Sequence, residues 1–203
     1  RYYVSQNYLS SLINIKEVNM NFVEPIRKKE HIEQIEKFLA KTNLRNRLIF
    51  AFGINTGLRV SDILALNISD VKDKNHVTIR EKKTGKYKKF PLNNKLKQLI
   101  SEYVKTITTN RLNTPLFIGD KGARMHRSMV YRFLNNAVNT LNLEVGAIGT
   151  HSMRKTFGYH HYKKFKDVAL LQQILNHSSP TITLRYIGIS QEEIDFSYYN
   201  FEL

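Results

Sequence analysis

Between residues 151 and 186 the chain places His151-Ser152-Met153-Arg154, then His177, then Tyr186. A second arginine stands far upstream in Thr56-Gly57-Leu58-Arg59-Val60-Ser61-Asp62-Ile63-Leu64-Ala65-Leu66. Two guanidiniums, two imidazoles and a phenol suit covalent attack on a phosphodiester in which no metal takes part. Guanidinium forks grip the two non-bridging oxygens, imidazoles move protons or donate hydrogen bonds, and the phenol attacks. Each residue also has a plain reading. Arg59 can pair with Asp62 on a helix surface, Arg154 can be solvated beside a helix start, and His177 can cap a helix end. Tyr186 is one of 11 tyrosines. Order and spacing, not residue type, carry the signal.

The elements that must hold these groups are mostly helical. Apolar positions Ile32, Ile35, Phe38 and Leu39 recur at helical spacing and predict a helix over 28–40. A second is predicted over 44–55, ending at Thr56-Gly57, and a short third carries Val60, Ile63, Leu64 and Leu66. The texture then changes: His76–Arg80 alternates, Lys83-Thr84-Gly85-Lys86 supplies a turn, and 87–92 returns as the second arm of a β-hairpin. Helices resume over 94–106, 128–141, 152–164, 168–176 and 181–186, with 191–201 a last amphipathic candidate. The expected fold class is therefore mainly α with a small antiparallel β-sheet.

Composition narrows the partner. In 203 residues, 32 Lys+Arg against 17 Asp+Glu leave a net charge of +15, more than an acidic small molecule requires and apt for a polyanion. The chain has no cysteine, which removes disulfides and thiolate metal sites. His160 and His161 adjoin and diverge, while His31, His76 and His126 lack partners at ligand spacing, and the aspartates are too scattered for a two-metal nuclease. No metal and no cofactor is expected. No run of about 18 apolar residues occurs and no signal-peptide core is visible, so a cytoplasmic, nucleoid-associated protein with no membrane partner is expected. Residues 1–23, polar and rich in Asn and Ser, read as a linker or the remnant of a missing N-terminal segment, with Met20 an alternative start. Glu24-Pro25 opens the body, which is taken as one domain over 24–203, including a tail over 191–203.

The boxes resemble those of the tyrosine recombinase (phage integrase) family. Thr56–Leu66 is similar to its first arginine box, with Asp62 where glutamate is commoner. His151-Ser152-Met153-Arg154-Lys155-Thr156-Phe157 is similar to its H-x-[LM]-R box, and Gly158 permits close helix packing. Leu175-Asn176-His177-Ser178-Ser179 is similar to L-G-H-x-S, with Asn176 in place of glycine, and Tyr186 stands at the nucleophile position. Asn tolerates the left-handed conformation that such a helix end needs. Lys83, in Lys83-Thr84-Gly85, matches the family's hairpin lysine better than Lys82 or Lys86. The likeness spans about residues 24 to 190 and lacks the family's N-terminal core-binding domain.

The resemblance implies a catalytic-domain fold of that family and a site-specific recombinase acting on double-stranded DNA through a 3′-phosphotyrosyl intermediate. It implies that Arg59 and Arg154 bind the scissile phosphate, with Asp62 buttressing Arg59. Lys83 protonates the leaving oxygen, His151 is general acid/base for Tyr186, and His177 hydrogen-bonds the phosphate. A homotetramer on DNA is expected, monomeric when free, with accessory DNA-binding factors a further possibility. Two rivals use the same fold: a type IB topoisomerase-like enzyme that relaxes supercoils, and a catalytically idle DNA-binding protein. The tail, carrying Ile194, Phe196, Tyr198, Tyr199 and Phe201, is expected to be buried, either on its own domain or on a neighbouring protomer.

Overall fold

The run Leu48–Gly53 is apolar on every face, so a helix built from it must be enclosed on all sides. The computed structural model, which describes residues 23–107, 111–119, 122–189 and 196–202, places it at the centre of the molecule. In chain order the described elements are α1 (Lys29–Thr42), α2 (Leu44–Thr56), α3 (Val60–Ile63), α4 (Ile68–Val71), β1 (His76–Arg80), β2 (Tyr87–Pro91) and α5 (Asn94–Val104). They continue with α6 (Arg127–Thr140), α7 (Ser152–Phe165), α8 (Val168–Leu175) and α9 (Pro180–Ile187). The segment read above as a linker, 1–23, lies outside the described residues except for Val23.

Helix α2 packs against α1, α5 and α7, with Leu48, Ile49, Phe50, Ala51 and Phe52 essentially inaccessible to solvent. Asn43 starts it by accepting the Asn46 N–H at 3.1 Å, and Gly57 ends it in the left-handed conformation at φ 62°. One main core joins α1 to α6, the hairpin and the buried side of α7 through Met153. A second, small core sits apart: Leu171, Leu175 and Ile187, with Phe157, Tyr159, Tyr162, Leu184 and Tyr186 around them, bind α7, α8 and α9 together. Gly158 lets α7 and α9 approach, since a Cβ there would lie 2.6 Å from Ile187 Cγ2.

The hairpin is antiparallel, pairing Val77 with Phe90 and Ile79 with Lys88. Its inward face therefore carries Val77, Ile79, Phe90 and, unexpectedly, Lys88. The third helix is shorter than expected. It stops at Ile63, because Leu66 leaves to accept the Leu116 N–H at 2.9 Å and α4 begins one residue after Asn67. Asn67 and Asp70 form a reciprocal capping box that the hydrophobic pattern did not reveal. In the tail, 190–195 lie outside the described residues. Residues 196–199 make a helical turn on which Phe196, Tyr198 and Tyr199 are exposed, as is Phe201 beyond it. Burial of these aromatics on their own domain is not what a single chain displays.

Candidate active site

Five helix ends and the hairpin tip converge where the second core meets the first. Helix α2 ends at Gly57, and Arg59 caps the start of α3. Helix α7 begins at Ser152 with His151 at its N-cap, so Arg154 lies in its first turn. Helix α8 closes with Asn176 at φ 51°, where the Asn176 and His177 N–H groups return to the Gln173 and Gln172 carbonyls, both at 3.0 Å. This double closure is the Schellman pattern, and it leaves His177 packed on α9, against Thr183 and Tyr186. Helix α9, started by Ser179 and Pro180, carries Tyr186 in its last turn.

Arg154 is nearly inaccessible and is held from two sides. Its Nη1 donates to the Gly57 carbonyl at 2.6 Å and its Nη2 to the Leu175 carbonyl, so one guanidinium joins α2 to α8. Gly57 could hardly be another residue: its φ is left-handed, and a Cβ would stand 2.4 Å from Phe157 Cδ1. Lys88 Nζ donates to the adjacent carbonyl, Ile174, at 2.8 Å. Burial and the charges of Arg154 and Arg59 push this lysine down to about 8, against the pull of Glu81 and Asp62.

Arg59 is held differently. Its Nη1 lies 2.9 Å from Glu81 Oε1 and 4.0 Å from Asp62 Oδ2, so the nearer carboxylate is the one outside the arginine box. The Glu81 contact is an ion pair without hydrogen-bond alignment, and Arg59 Nη1 finds no acceptor among the described residues. Asp62 instead accepts the Lys82 N–H at 3.0 Å, tying the hairpin to α3. Glu81, also buried, accepts from Thr84 Oγ1 at 2.7 Å and from Asn176 Nδ2 at 3.0 Å. Burial alone would raise its carboxyl. The two hydrogen bonds and Arg59 outweigh it and hold the group down to about 2.

The nucleophile candidate and both histidines are together. The Tyr186 hydroxyl lies 3.2 Å from His151 Nδ1, its ring packs edge-on to His177 at 4.9 Å between centroids, and Lys155 Nζ sits 5.3 Å from its centre. Burial raises the Tyr186 phenol, with Arg154 and Arg59 pulling it back. Burial and the charges of Arg154, Lys155, Arg59 and Lys83 lower His151. The same kind of surroundings, burial first and then Arg154, Arg59 and Lys83, takes His177 down to about 4. Both rings are thus neutral near pH 7. His177 Nδ1 is 3.1 Å from the buried Thr183 hydroxyl.

Of the residues singled out in the sequence, Arg59, His151, Arg154, His177 and Tyr186 come together, and Asp62 lies behind Arg59. Lys83 is exposed at the hairpin tip, close enough for its charge to bear on both histidines. Glu81 and Lys88 were missed. The alternation of β2 places Lys88 on the same face as Phe90, which is the signal that could have found it. Among the described residues no group of three or more His, Asp or Glu is placed to hold a metal ion, and no helix is long and apolar enough to cross a membrane.

A mainly helical domain with a hairpin beside two arginines, two histidines and a terminal tyrosine defines a class, and comparison with known proteins agrees. The profile of the phage integrase family matches residues 27–193, and the chain belongs to that family as a tyrosine recombinase catalytic domain. It is 44% identical over 180 residues to "Probable integrase/recombinase YoeC" of Bacillus subtilis (strain 168), an alignment covering 88% of this chain and 97% of that protein. It is 29% identical over 171 residues to "Tyrosine recombinase XerH" of Campylobacter jejuni, covering 82% of this chain but 48% of that one. The chain thus spans nearly all of the first relative and about half of the second. Among solved structures, XerA recombinase superposes with a TM-score of 0.71 at 18% identity, over 89% of this chain and 65% of that one. The XerH site-specific recombinase bound to palindromic difH substrate in a post-cleavage complex gives 0.70 at 22% identity, over 89% and 54%. At these identities the structural likeness is one of fold.

Proposed function

We propose that this chain is a site-specific DNA recombinase that cleaves and rejoins strands through a 3′-phosphotyrosyl intermediate. The observation that carries the reading is the Tyr186 hydroxyl, 3.2 Å from a neutral His151 nitrogen, in a site shared with Arg59 and Arg154. Tyr186 Oη attacks the scissile phosphorus and gives its proton to His151 Nδ1. The P–O5′ bond breaks, and the leaving oxygen takes a proton from Lys83. A phenol raised by burial needs such a base at neutral pH. Attack by another strand's 5′-hydroxyl reverses these steps and releases Tyr186, so no external energy source is consumed.

The arginines neutralise the charge on the pentacovalent phosphorus. Arg154 is spent on two carbonyls, yet each terminal nitrogen keeps a second N–H for a phosphate oxygen. Arg59 brings an Nη1 that has, among the described residues, only its unaligned ion pair with Glu81. The Thr183 hydroxyl, which donates to the Ser179 carbonyl at 3.1 Å, also meets His177 Nδ1 at 3.1 Å and so fixes the ring beside Tyr186, leaving Nε2 for the phosphate. Remaining Lys and Arg side chains track the backbone of double-stranded DNA and set affinity rather than sequence choice. The working assembly is a homotetramer on DNA in the cytoplasm, at the nucleoid, and the exposed aromatics of 196–201 are the surface on which neighbouring protomers dock.

The test is a nicked suicide duplex that loses its 5′-hydroxyl fragment after cleavage and traps the covalent complex. The wild-type chain forms a phosphotyrosyl adduct, in EDTA as well as in Mg²⁺, because guanidiniums carry the transition-state charge. Tyr186→Phe forms none while DNA binding changes little. An adduct mapped to Tyr198 or Tyr199, or cleavage that EDTA abolishes and Mg²⁺ restores, would sink the reading.

A further inference from the structure

Three segments that carry proposed catalytic groups meet on one carboxylate. Glu81 Oε1 faces Arg59 Nη1 at 2.9 Å. Its Oε2 takes the hydroxyl of Thr84, the neighbour of Lys83, at 2.7 Å and the carboxamide of Asn176, the neighbour of His177, at 3.0 Å. The main chain of the same residue also closes the hairpin tip, since its N–H donates to the Lys86 carbonyl at 2.9 Å and its carbonyl accepts the Gly85 N–H at 2.8 Å. We propose that Glu81 is the positioning residue of this site, setting the guanidinium of Arg59, the hairpin tip bearing Lys83 and the turn bearing His177 relative to one another, with Asn176 as its link to that turn.

Physical reasons favour a positioning role over a merely structural one. Arg59 stands among like charges (Arg154, Lys88 and Lys83 all act on this site), so without a counter-charge its flexible stem would swing it toward solvent. Asp62, at 4.0 Å and engaged with the Lys82 N–H, cannot replace Glu81. The ion pair is close but not aligned as a hydrogen bond, so Glu81 fixes the place of the guanidinium without locking the direction of its Nη1 hydrogens. Asn176 contributes through its side chain. A glycine satisfies the left-handed turn at φ 51° equally well but offers nothing to Glu81. The asparagine in place of the usual glycine thus joins the nucleophile side of the site to the hairpin side.

The inference rests on the cleavage chemistry proposed above, and the experiment separates the two. Single-turnover adduct formation on the suicide duplex is measured beside DNA affinity and thermal unfolding. Glu81→Gln slows adduct formation roughly 10- to 100-fold, the loss usual when the group orienting a charged ligand is removed. DNA affinity is unchanged or higher, since a negative charge has gone from beside the phosphate site. Glu81→Asp recovers part of the rate. Asn176→Gly, which keeps the turn, slows it roughly 2- to 10-fold, the equivalent of one net hydrogen bond. Because Arg59 is one of the three groups that Glu81 sets, Glu81→Gln combined with Arg59→Lys loses clearly less than the product of the two single losses. Multiplying losses, or wild-type rates in both Glu81→Gln and Asn176→Gly, would overturn the proposal while leaving the cleavage chemistry intact. If Glu81→Gln unfolds below the assay temperature, Glu81→Asp and Asn176→Gly decide in the same way. A wild-type chain that forms no adduct would overturn the cleavage chemistry and this inference with it.

Discussion

The two arginines of the site are built in opposite ways. Arg154 is nearly inaccessible and locked by the carbonyls of Gly57 and Leu175, so it joins two helix ends as a beam joins two walls. Arg59 rests beside one carboxylate in an unaligned ion pair, with no aligned acceptor for Nη1 among the described residues. The first arrangement gives a guanidinium whose position cannot drift but whose removal breaks the framework. The second gives one whose hydrogen bonds are still to be made. A site that must hold a phosphate and stay folded without it gains from dividing these tasks.

Substitution by lysine separates the two designs, because an ammonium keeps the charge and loses the fork. Arg154→Lys produces the larger effect. It cannot reach both carbonyls, so stability drops by about 2–4 kcal/mol as buried acceptors lose their donors, and the unfolding midpoint falls roughly 5–15 °C. Adduct formation falls roughly 100-fold or more. Arg59→Lys loses about as much cleavage while its unfolding midpoint moves by less than about 2 °C, since lysine keeps a positive charge beside Glu81. Equal thermal losses in the two variants would erase the distinction.

A smaller effect comes from pH. His177 is lowered from an ordinary 6.5 to about 4, so the unfolded chain takes up its proton first as pH falls. Its contribution is complete above about 6.5 and is lost between there and about 4. Glu81 is lowered from 4.5 to about 2, so its contribution is lost only below about 4.5. Acid therefore loosens the nucleophile side before the hairpin side. In thermal unfolding across pH, His177→Gln flattens the upper window by roughly 1–3 °C and Glu81→Gln flattens the lower one. A reversed assignment would show that the two histidine and carboxylate environments are not separable.

The same contrast marks what could be read in the chain before any coordinates. Arg154, His151, His177 and Tyr186 sit in short strings on helix ends, and local periodicity is enough to bring each to an end of α7, α8 or α9. The hairpin was equally legible from its alternation. Glu81 and Lys88 were not, because their partners, Arg59 and Asn176 for one and Ile174 for the other, are remote in sequence. A glutamate among lysines at a hairpin tip reads as solvated charge until another helix end covers it. Helix α4 escaped for a different reason: four residues hold no hydrophobic period, and only Asn67 and Asp70 announce it. The tail illustrates the converse, since its aromatic content implied burial and a single chain leaves Phe196, Tyr198, Tyr199 and Phe201 exposed.

Gly57 carries a consequence for how such a protein can vary. At one position the chain needs a left-handed turn, room for the Phe157 ring, and a carbonyl placed to receive Arg154. Any side chain strains the first, collides with the second and so displaces the third. Most positions let a lineage exchange some stability for altered activity and regain it elsewhere. Here no such exchange is open, because one change damages fold and chemistry together. Drift at this codon is closed in a way that drift at Asn176, where glycine and asparagine both satisfy the backbone, is not.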